Sequence, residues 1–488
     1  MNKVKCVLLA AAVIAHAQTV GLKDIYANRF LFGSILNGTT VNNNSMKQIV
    51  LREFNSITAE NEMKPDATIV QSGSTNADVK VQLNNSARAI LKFCEDNNIP
   101  VRGHTLVWHS QTPGWFFREN FNASGAVVSK AVMNQRMESY IKNMFALIAK
   151  DFPKLNLYAY DVVNEASSES GGPRTAGSNS GDGQSMWVQV YGDNSFVEEA
   201  FKHARKYAPS TTKLYYNDYN EYISAKRNYI ANSIVKPLYD KGLLDGMGMQ
   251  SHLDVRGGND AYPSASDYGA AITMYKNIGV EIQVTELDAT VNNSNFTAQA
   301  TYYKNIMNEI LNKGGSAVKA VVVWGIQDNQ SWRKDRNPLI FDNSGNKKSA
   351  YNELAKLIPE SEWGKISSSS AVKSSSSVAP SSSSAVKSSS SVAPSSSSTV
   401  RSSSSVTPSS SSAVPSSSSA VESSSSTDET SSSSEGATPI AHYLSPAIHS
   451  KIPTYYTIKG EPVGSAKPAK PGVYLVKEGS SVQKIVVR

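Results

Sequence analysis

The sequence has few cysteines and a small share of charged residues. Only Cys6 and Cys94 occur among 488 residues, and charged side chains make up 18% of the chain. These counts exclude a small disulfide-stapled domain and a metal site built from several cysteines. Long apolar runs are also missing, because the one from Cys6 to Ala15 is too short to span a bilayer. The 40% of apolar residues is nevertheless enough for one large core.

The net charge of +7 is concentrated near the two ends of the chain. Lys3 and Lys5 contribute two of these charges, and residues 438–488 contribute five, from seven Lys/Arg and two Glu. A serine-rich tract over 364–437 has four charges of each sign, which leaves residues 18–363 neutral. A neutral main domain argues against nucleic acid as its ligand.

Residues 1–17 have the three parts of a signal peptide. Two lysines precede a short apolar run, and the small residues Ala15 and Ala17 form a cleavage site. The mature chain is then expected to begin near Gln18 and to be secreted or displayed at the cell surface. A buried N-terminal helix is the alternative interpretation.

The serine-rich tract predicts a disordered linker over 364–437. Ten blocks of four serines lie between Ser367 and Ser434, mostly at a period of seven. The spacers have at most two small apolar residues next to each other, so the repeat is not a coiled-coil heptad. Such a segment cannot bury enough surface to offset its chain entropy.

The last residues, 438–488, regain apolar character and predict a small basic β module. Gly472–Val476 and Val482–Val487 read as two strands around a Glu-Gly-Ser-Ser turn, which is a hairpin pattern.

Residues 18–363 alternate short apolar runs with amphipathic stretches such as Met133–Lys150 and Asn194–Tyr207. Eight runs are predicted to be strands buried on both faces: Phe30–Leu36, Ser56–Ala59, Val101–Trp108, Tyr158–Asn164, Lys213–Asn217, Gly246–Ser251, Val280–Thr285 and Ala320–Gly325. Eight strand–helix units favour an α/β fold of the (β/α)8 TIM-barrel type. A doubly wound sheet is the second choice, but no glycine-rich phosphate loop follows the first strand.

Two glutamates lie where a predicted strand meets the mouth of this barrel. Glu165 follows the fourth strand and Glu286 follows the seventh. A single glutamate at a strand end most often forms a structural ion pair. Two glutamates that face each other can instead cleave a glycosidic bond. Cleavage with retention of the anomeric configuration requires their carboxyl groups to be about 5–5.5 Å apart.

The other strand ends supply polar and aromatic groups that suit a sugar, which presents hydroxyl rims and apolar faces. These groups are Glu60, Asn61, Lys64, His104, Trp108, His109, Gln111, Asn217, Tyr219, Gln250, His252, Trp324 and Trp332. A metal is not expected, because His104 and His109 are five residues apart on a segment that runs from a strand into a loop. This spacing does not place the two imidazoles on the same side, where both could bind one ion. No cofactor is expected.

Seven of these segments resemble the motifs of the glycoside hydrolase family 10 endo-β-1,4-xylanases, in the family order. They are Thr58–Lys64, Gly103–Gln111, Asp161–Glu165, Tyr216–Asn220, Gln250–Leu253, Val284–Asp288 and Trp324–Ile326. The resemblance covers the barrel and ends by about residue 363.

This resemblance implies a role for each matching residue. Glu286 matches the nucleophile, and Glu165 matches the acid that later acts as base. Asn164 matches the partner of the sugar 2-hydroxyl. His252 matches the histidine bonded to the nucleophile, with Asp288 behind it. The matches to substrate-binding residues on the non-reducing side are Glu60, Asn61, Lys64, His104, Trp108, Gln111 and Gln250. Trp324 and Trp332 match aromatic walls, and Tyr219 matches a contact on the leaving-group side.

The expected function is a monomeric, secreted endo-1,4-β-xylanase acting on xylan and xylo-oligosaccharides by a retaining mechanism. A β-1,4-glucanase of the same mechanism and a non-catalytic glycan-binding barrel are the alternatives. The Gly/Ser-rich segment 167–183 departs from the family pattern. It is interpreted either as a mobile loop or as a change in the part of the site that binds the leaving group.

The tail, with Pro471–Val476 and Lys484–Arg488, resembles the sorting domains of type IX secretion substrates. A carbohydrate-binding or surface-attachment module is the alternative there.

Overall fold

The computed structural model describes residues 20–179, 183–255 and 262–364, together with the backbone of four short strands near the C-terminus. The predicted signal peptide (1–17) lies outside the described residues. The same holds for the predicted linker from residue 365 onward and for the side chains of the C-terminal module.

Eight parallel strands close into a barrel within the described part of residues 20–364. They are β1 (Leu31–Leu36), β2 (Ser56–Ala59), β3 (Val101–Trp108), β4 (Leu157–Asn164), β5 (Lys213–Asp218), β6 (Gly246–Met249), β7 (Glu281–Thr290) and β8 (Val318–Val323). Each strand pairs with the next, and β8 pairs back with β1, where Leu31 lies opposite Ala320. The predicted (β/α)8 barrel is therefore confirmed.

The first five predicted strands match these bounds closely, the eighth (Ala320–Gly325) lies two residues beyond Val318–Val323 at each end, and the sixth and seventh differ at their C-terminal ends. β7 continues five residues beyond the predicted end at Thr285, because Leu287 and Ala289 remain buried and the strand gains a new partner. That partner is the short strand His252–Asp254, in which His252 lies opposite Asp288. β6 ends at Met249, before the predicted end, since Ser251 has a left-handed φ of +64°.

Helices cover the outside of the barrel. The α-helical segments in the described part are Leu22–Ile25, Asn44–Glu53, Pro65–Thr68, Asn85–Asp96, Lys130–Asp151, Met186–Tyr191, Ser195–Tyr207, Ser224–Tyr229, Lys236–Asp240, Ala265–Ile278, Phe296–Glu309 and Ser349–Ala355. Two of the longer ones, ending at Asp151 and Tyr207, stop two residues before Pro153 and Pro209, as proline restricts the residue that precedes it. No helix in these ranges combines the length and the apolar character needed to cross a bilayer.

The four C-terminal strands form a separate antiparallel sheet. They are Thr454–Thr457, Pro462–Gly464, Gly472–Glu478 and Ser481–Val487. The last two pair from Gly472 opposite Val487 to Glu478 opposite Ser481, which is the hairpin that the sequence pattern predicts.

Candidate active site

Glu286 lies in β7 and points into a polar cluster. Its carboxylate accepts a hydrogen bond from Asn217 Nδ2 at 2.9 Å, and His252 Nε2 lies 3.1 Å from its other oxygen. Burial alone would raise the pKa of Glu286, but His252, His104 and Lys64 together hold that pKa below its usual value. The residue is thus kept ready as a carboxylate although it is only 5% exposed.

Asp288 lies two residues further along β7 and holds the groups around this carboxylate. One of its oxygens lies 2.9 Å from His252 Nδ1 and accepts a hydrogen bond from Trp332 Nε1 at 3.0 Å. The other accepts a hydrogen bond from Arg333 Nη1 at 2.6 Å. Burial lowers the pKa of His252, but Asp288 and Glu286 outweigh burial and raise that pKa to about 9.

Glu165 directly follows β4, where its backbone adopts a left-handed φ of +56°. Trp108 Nε1 donates to one carboxylate oxygen at 2.8 Å, and Gln250 Nε2 donates to the other at 2.8 Å. The Glu165 side chain is 13% exposed, so it remains accessible from the mouth. These two donors fix the orientation of the carboxylate.

Two nitrogen-bearing side chains face Glu165 at longer range. His109 Nδ1 and Arg174 Nη2 each lie 4.0 Å from Glu165 Oε2. Burial and the charge of Arg174 lower the pKa of His109 to about 3, so this imidazole is neutral near neutral pH. Burial would raise the pKa of Glu165, but these two neighbours, with Gln250 and Trp108, hold it below its usual value. Of these neighbours, Arg174 is the one that carries a positive charge near neutral pH.

A chain of side-chain amides connects the two glutamates. Asn217 Nδ2 donates both to Glu286 and to Asn164 Oδ1, the latter at 2.9 Å. Gln250 Nε2 donates to the same Asn164 oxygen at 3.2 Å and also to Glu165. Thr285 donates to Asn217 Oδ1 at 2.7 Å, which sets the orientation of this amide. The carboxylates therefore belong to one network at one end of the barrel.

Polar groups from β2 and β3 gather near this network. Lys64 Nζ donates to Asn61 Oδ1 and to Gln111 Oε1, both at 2.9 Å, and lies 4.9 Å from the centroid of the Trp108 ring. Burial lowers the pKa of Lys64, although neighbouring carboxylates oppose this shift. The structure thus joins four of the residues that sequence placed on the non-reducing side.

Of the other three residues in that set, Gln250 belongs to the amide chain described above, and Glu60 and His104 are also held by neighbours. Asn37 donates to Glu60 at 2.8 Å, and burial raises the pKa of this carboxyl. His104 is 2% exposed, and its Nδ1 lies 2.8 Å from Asp161 Oδ2. His104 also packs edge-on against Trp324, with 5.6 Å between ring centroids.

Aromatic side chains flank the carboxylates on several sides. Trp332 is 53% exposed even though its indole nitrogen is bonded, and its ring lies 4.9 Å from that of His252. Trp324 is almost fully buried. Tyr219 follows β5 and has Lys226 Nζ 3.5 Å from its ring centroid. An exposed flat face such as that of Trp332 is suited to a sugar.

Several contacts of this site were not predicted from the sequence. Asn217 stood at a predicted strand end, but its double donation depends on the register that places it opposite Asn164. Arg333 adjoins Trp332, and Arg174 lies within the Gly/Ser-rich segment. No motif or periodicity in the sequence indicates a role for either arginine. Arg102 did have a signal, because an arginine inside an apolar strand must find a buried partner. It pairs with Asp161 inside the barrel.

The described residues contain no group of three His, Cys, Asp or Glu side chains arranged to hold a metal ion. The described site brings together two carboxylates, a charged histidine and a set of amides. A carboxylate pair with different surroundings can divide the roles of nucleophile and proton donor.

Comparison with known proteins agrees with this geometry. The model of "Glycosyl hydrolase family 10" matches residues 21–357. "Endo-1,4-beta-xylanase Y" of Acetivibrio thermocellus is 54% identical over 372 residues, covering 73% of this chain and 34% of that protein. "Bifunctional endo-1,4-beta-xylanase XylA" of Ruminococcus flavefaciens is 44% identical over 340 residues, covering 69% and 34%. The chain thus spans about a third of the length of these curated relatives.

Solved structures show the same similarity. The CBM22-1 and GH10 modules of Clostridium thermocellum endo-1,4-beta-D-xylanase 10B, complexed with xylohexaose, are 53% identical, with a TM-score of 0.68 over 72% of this chain and 70% of that one. A psychrophilic glycoside hydrolase family 10 endo-beta-1,4-xylanase is 33% identical, with a TM-score of 0.58 over 69% of this chain and 100% of its own. The chain therefore belongs to glycosyl hydrolase family 10.

Proposed function

We propose that this chain is a secreted endo-1,4-β-xylanase that cleaves internal bonds of xylan with retention of configuration. The observation that carries the proposal is the amide chain through Asn217, Asn164 and Gln250, which connects Glu286 to Glu165. The family and the similarity to xylanases named for this reaction support it.

In the first half-reaction, Glu286 attacks the anomeric carbon of the sugar. A bond forms between its carboxylate oxygen and that carbon while the glycosidic carbon–oxygen bond breaks. Glu165 gives its proton to the departing oxygen. Burial of Glu165 favours its protonated form, whereas its polar neighbours favour the carboxylate and hold the pKa below its usual value when no sugar is bound.

In the second half-reaction, water attacks the anomeric carbon of the glycosyl-enzyme. Glu165, now a carboxylate, takes the proton of this water, and Glu286 leaves as a carboxylate. Asn164 is proposed to bind the sugar 2-hydroxyl, because it lies between both glutamates in the hydrogen-bond network. His252 keeps Glu286 ionised at the start of each cycle.

The substrate-binding roles of the other residues extend this proposal. The cluster around Lys64 supplies hydrogen bonds for the non-reducing side, and Trp324 and Trp332 supply apolar walls. Tyr219 is proposed to contact the leaving sugar. Export rests on the sequence of residues 1–17, and sorting or surface attachment rests on residues 438–488.

Xylan hydrolysis followed by NMR of the first products tests the reaction. Retention predicts that the β-anomer appears first, and Glu286→Ala should lower the rate roughly 10³-fold or more, because covalent catalysis is lost. The matched control is Glu281→Gln at the opposite end of the same strand, where Glu281 accepts a hydrogen bond from Tyr215 instead. An initial α-anomer, or an active Glu286→Ala enzyme, would refute the proposal. Faster hydrolysis of carboxymethyl cellulose than of xylan would assign a glucanase.

A further inference from the structure

The segment directly after Glu165 folds back on itself rather than extending into solvent. Ser167 pairs with Pro173 in an antiparallel bridge, and Ser168 N donates to Gly172 O at 2.8 Å. Gly171 makes the turn with a left-handed φ of +81°. A Cβ at this glycine would lie 2.5 Å from the backbone carbon of Ala225, so the turn is packed tightly against the next barrel unit.

This turn returns Arg174 to the glutamate from which the segment started. Arg174 Nε donates to the backbone oxygen of Glu165 at 2.6 Å, and Nη2 lies 4.0 Å from the carboxylate. The arginine side chain is only 5% exposed, so solvent screens its charge little. The contact holds a residue whose left-handed backbone is otherwise unfavourable.

The other charged groups around Glu165 have partners of their own. Lys226, beyond β5, pairs with Asp218 at 3.0 Å and with Glu169 at 3.4 Å. Glu286, in β7, is held by His252, and Lys64, whose charge also acts on Glu165, donates to Asn61 and Gln111. On the β3 side, His109 is neutral near neutral pH.

Within the described part of the chain, Arg174 forms its ion pair with Glu165. The Tyr219 hydroxyl is its further hydrogen-bond contact. Glu165 and Asp218 are the carboxylates that act on the charge of Arg174, and Glu165 is the one with which the arginine forms its ion pair in the described residues.

We propose that Arg174 is a positioning residue that fixes the backbone of Glu165 and stabilises its carboxylate form, so that it favours the base role in the second half-reaction. The inference rests on the proposed function of Glu165. It gives the unusual segment after β4 a defined task, which is to supply a cation to the proton-transfer group.

The test is the pH dependence of two separate steps in Arg174→Met. The basic limb of kcat/KM on xylo-oligosaccharides reports protonated Glu165 in the free enzyme. The acidic limb of kcat on dinitrophenyl xylobioside reports ionised Glu165 in the glycosyl-enzyme, because that leaving group needs no proton. Both limbs should move up by about one pH unit, since an opposite charge at this distance is lost.

Two further variants separate charge from structure. Arg174→Lys keeps the charge and should leave both limbs within about 0.3 unit of the parent. Arg227→Met removes an arginine at the same end of the barrel that bonds to backbone oxygens of Tyr222 and Asp267, and should also leave both limbs in place. If Arg174→Met does not fold, Arg174→Gln replaces it with the same expectation.

If both limbs of the pH profiles stay in place in Arg174→Met, the inference is overturned, even if the activity of this variant is lower at every pH. Glu165→Ala in the same assays distinguishes this failure from failure of the proposed function. If Glu165→Ala hydrolyses xylan normally, the acid/base assignment itself fails. If it does not, and the limbs stay fixed in Arg174→Met, only the role of Arg174 fails.

Discussion

The Nε2 atom of His252 lies 3.1 Å from Oε2 of Glu286, while Nδ1 of the same ring lies 2.9 Å from Asp288. An imidazole between two carboxylates carries a proton on each nitrogen, and the pKa of about 9 means that this ring is charged near neutral pH. Glu286, the proposed nucleophile, therefore faces a fixed cation rather than a neutral donor.

Replacement of this histidine should shift the pH range of the enzyme. In His252→Asn, the pKa of Glu286 rises because a cation that lowers it is gone, and less of the carboxylate is ionised at low pH. The acidic limb of kcat/KM should then move up by about one pH unit. His203→Asn, on an outer helix beside Asn134, is the control and should not move that limb. A limb that stays in place in His252→Asn would contradict the arrangement.

Replacement of Glu165, the proposed acid/base, should separate the two proposed half-reactions. Glu165→Ala should lose about 10²–10⁴-fold on xylan, where the departing oxygen needs a proton. An aryl xylobioside with an acidic phenol should still form the glycosyl-enzyme, and azide should then restore turnover by replacing the water that needs a base. The product should be the β-xylobiosyl azide, detected by NMR.

The control for this experiment is Glu138→Gln, which lies between two outer helices and contacts Lys206. It should behave as the parent and gain nothing from azide. An azide effect equal to that of the control would argue against Glu165 as the acid/base.

Glu221 is a buried carboxyl that the proposed reaction does not use. One oxygen accepts from Ser251 at 3.1 Å, and the other has no hydrogen-bond partner in the described part of the chain. Burial raises the pKa of Glu221 to about 8. Since this pKa exceeds that of the unfolded chain, the contribution of Glu221 to stability is fully present below about pH 4.5 and is lost as pH rises towards 8.

Glu221→Gln should remove this pH dependence. The variant should match the parent near pH 5 and exceed its unfolding free energy at pH 8, by on the order of 3 kcal/mol. Thermal or urea unfolding at both pH values measures the difference. Glu119→Gln, at an exposed position, should change neither value. A Glu221→Gln protein with the same pH slope as the parent would show that Glu221 does not titrate as described.

Arg102 and Asp161 form an ion pair inside the barrel, and both side chains are at most 1% exposed. Arg102→Met should cost about 3–5 kcal/mol of unfolding free energy, because it leaves a buried charge without its partner. The double variant Arg102→Met/Asp161→Asn should recover much of this loss, as measured by chemical denaturation. A double variant less stable than Arg102→Met would mean that Asp161 matters chiefly through His104, which it also contacts.

The sequence predicts the barrel well because each strand is a short apolar run that ends in a polar group. Glu165 stands at such an end, and Glu286 follows the end of the seventh apolar run even though β7 itself continues past it, so their meeting at one mouth follows from parallel strands. Contacts between strands are less accessible to this reasoning. Asn217 reaches both Asn164 and Glu286 only because the fourth and fifth strands are paired in one particular register.

Loop residues are harder still to predict. Arg174 contacts Glu165 because a turn at Gly171 reverses the chain, and the intervening serines and glycines have no periodicity that would indicate this. The end of β7 shows the same limit. Its extra residues are stabilised by a short partner strand whose existence depends on the fold around His252.

The hydrogen bonds from Trp332 and Arg333 to Asp288 come from the loop that follows the last barrel strand. Both glutamates and His252 precede this loop in the chain, yet the aspartate behind the histidine is fully held only once the loop is in place. During synthesis on the ribosome, the nascent chain therefore has all of the groups proposed to react before it has the support that orients them. Activity should begin only after the eighth unit has emerged and closed the ring.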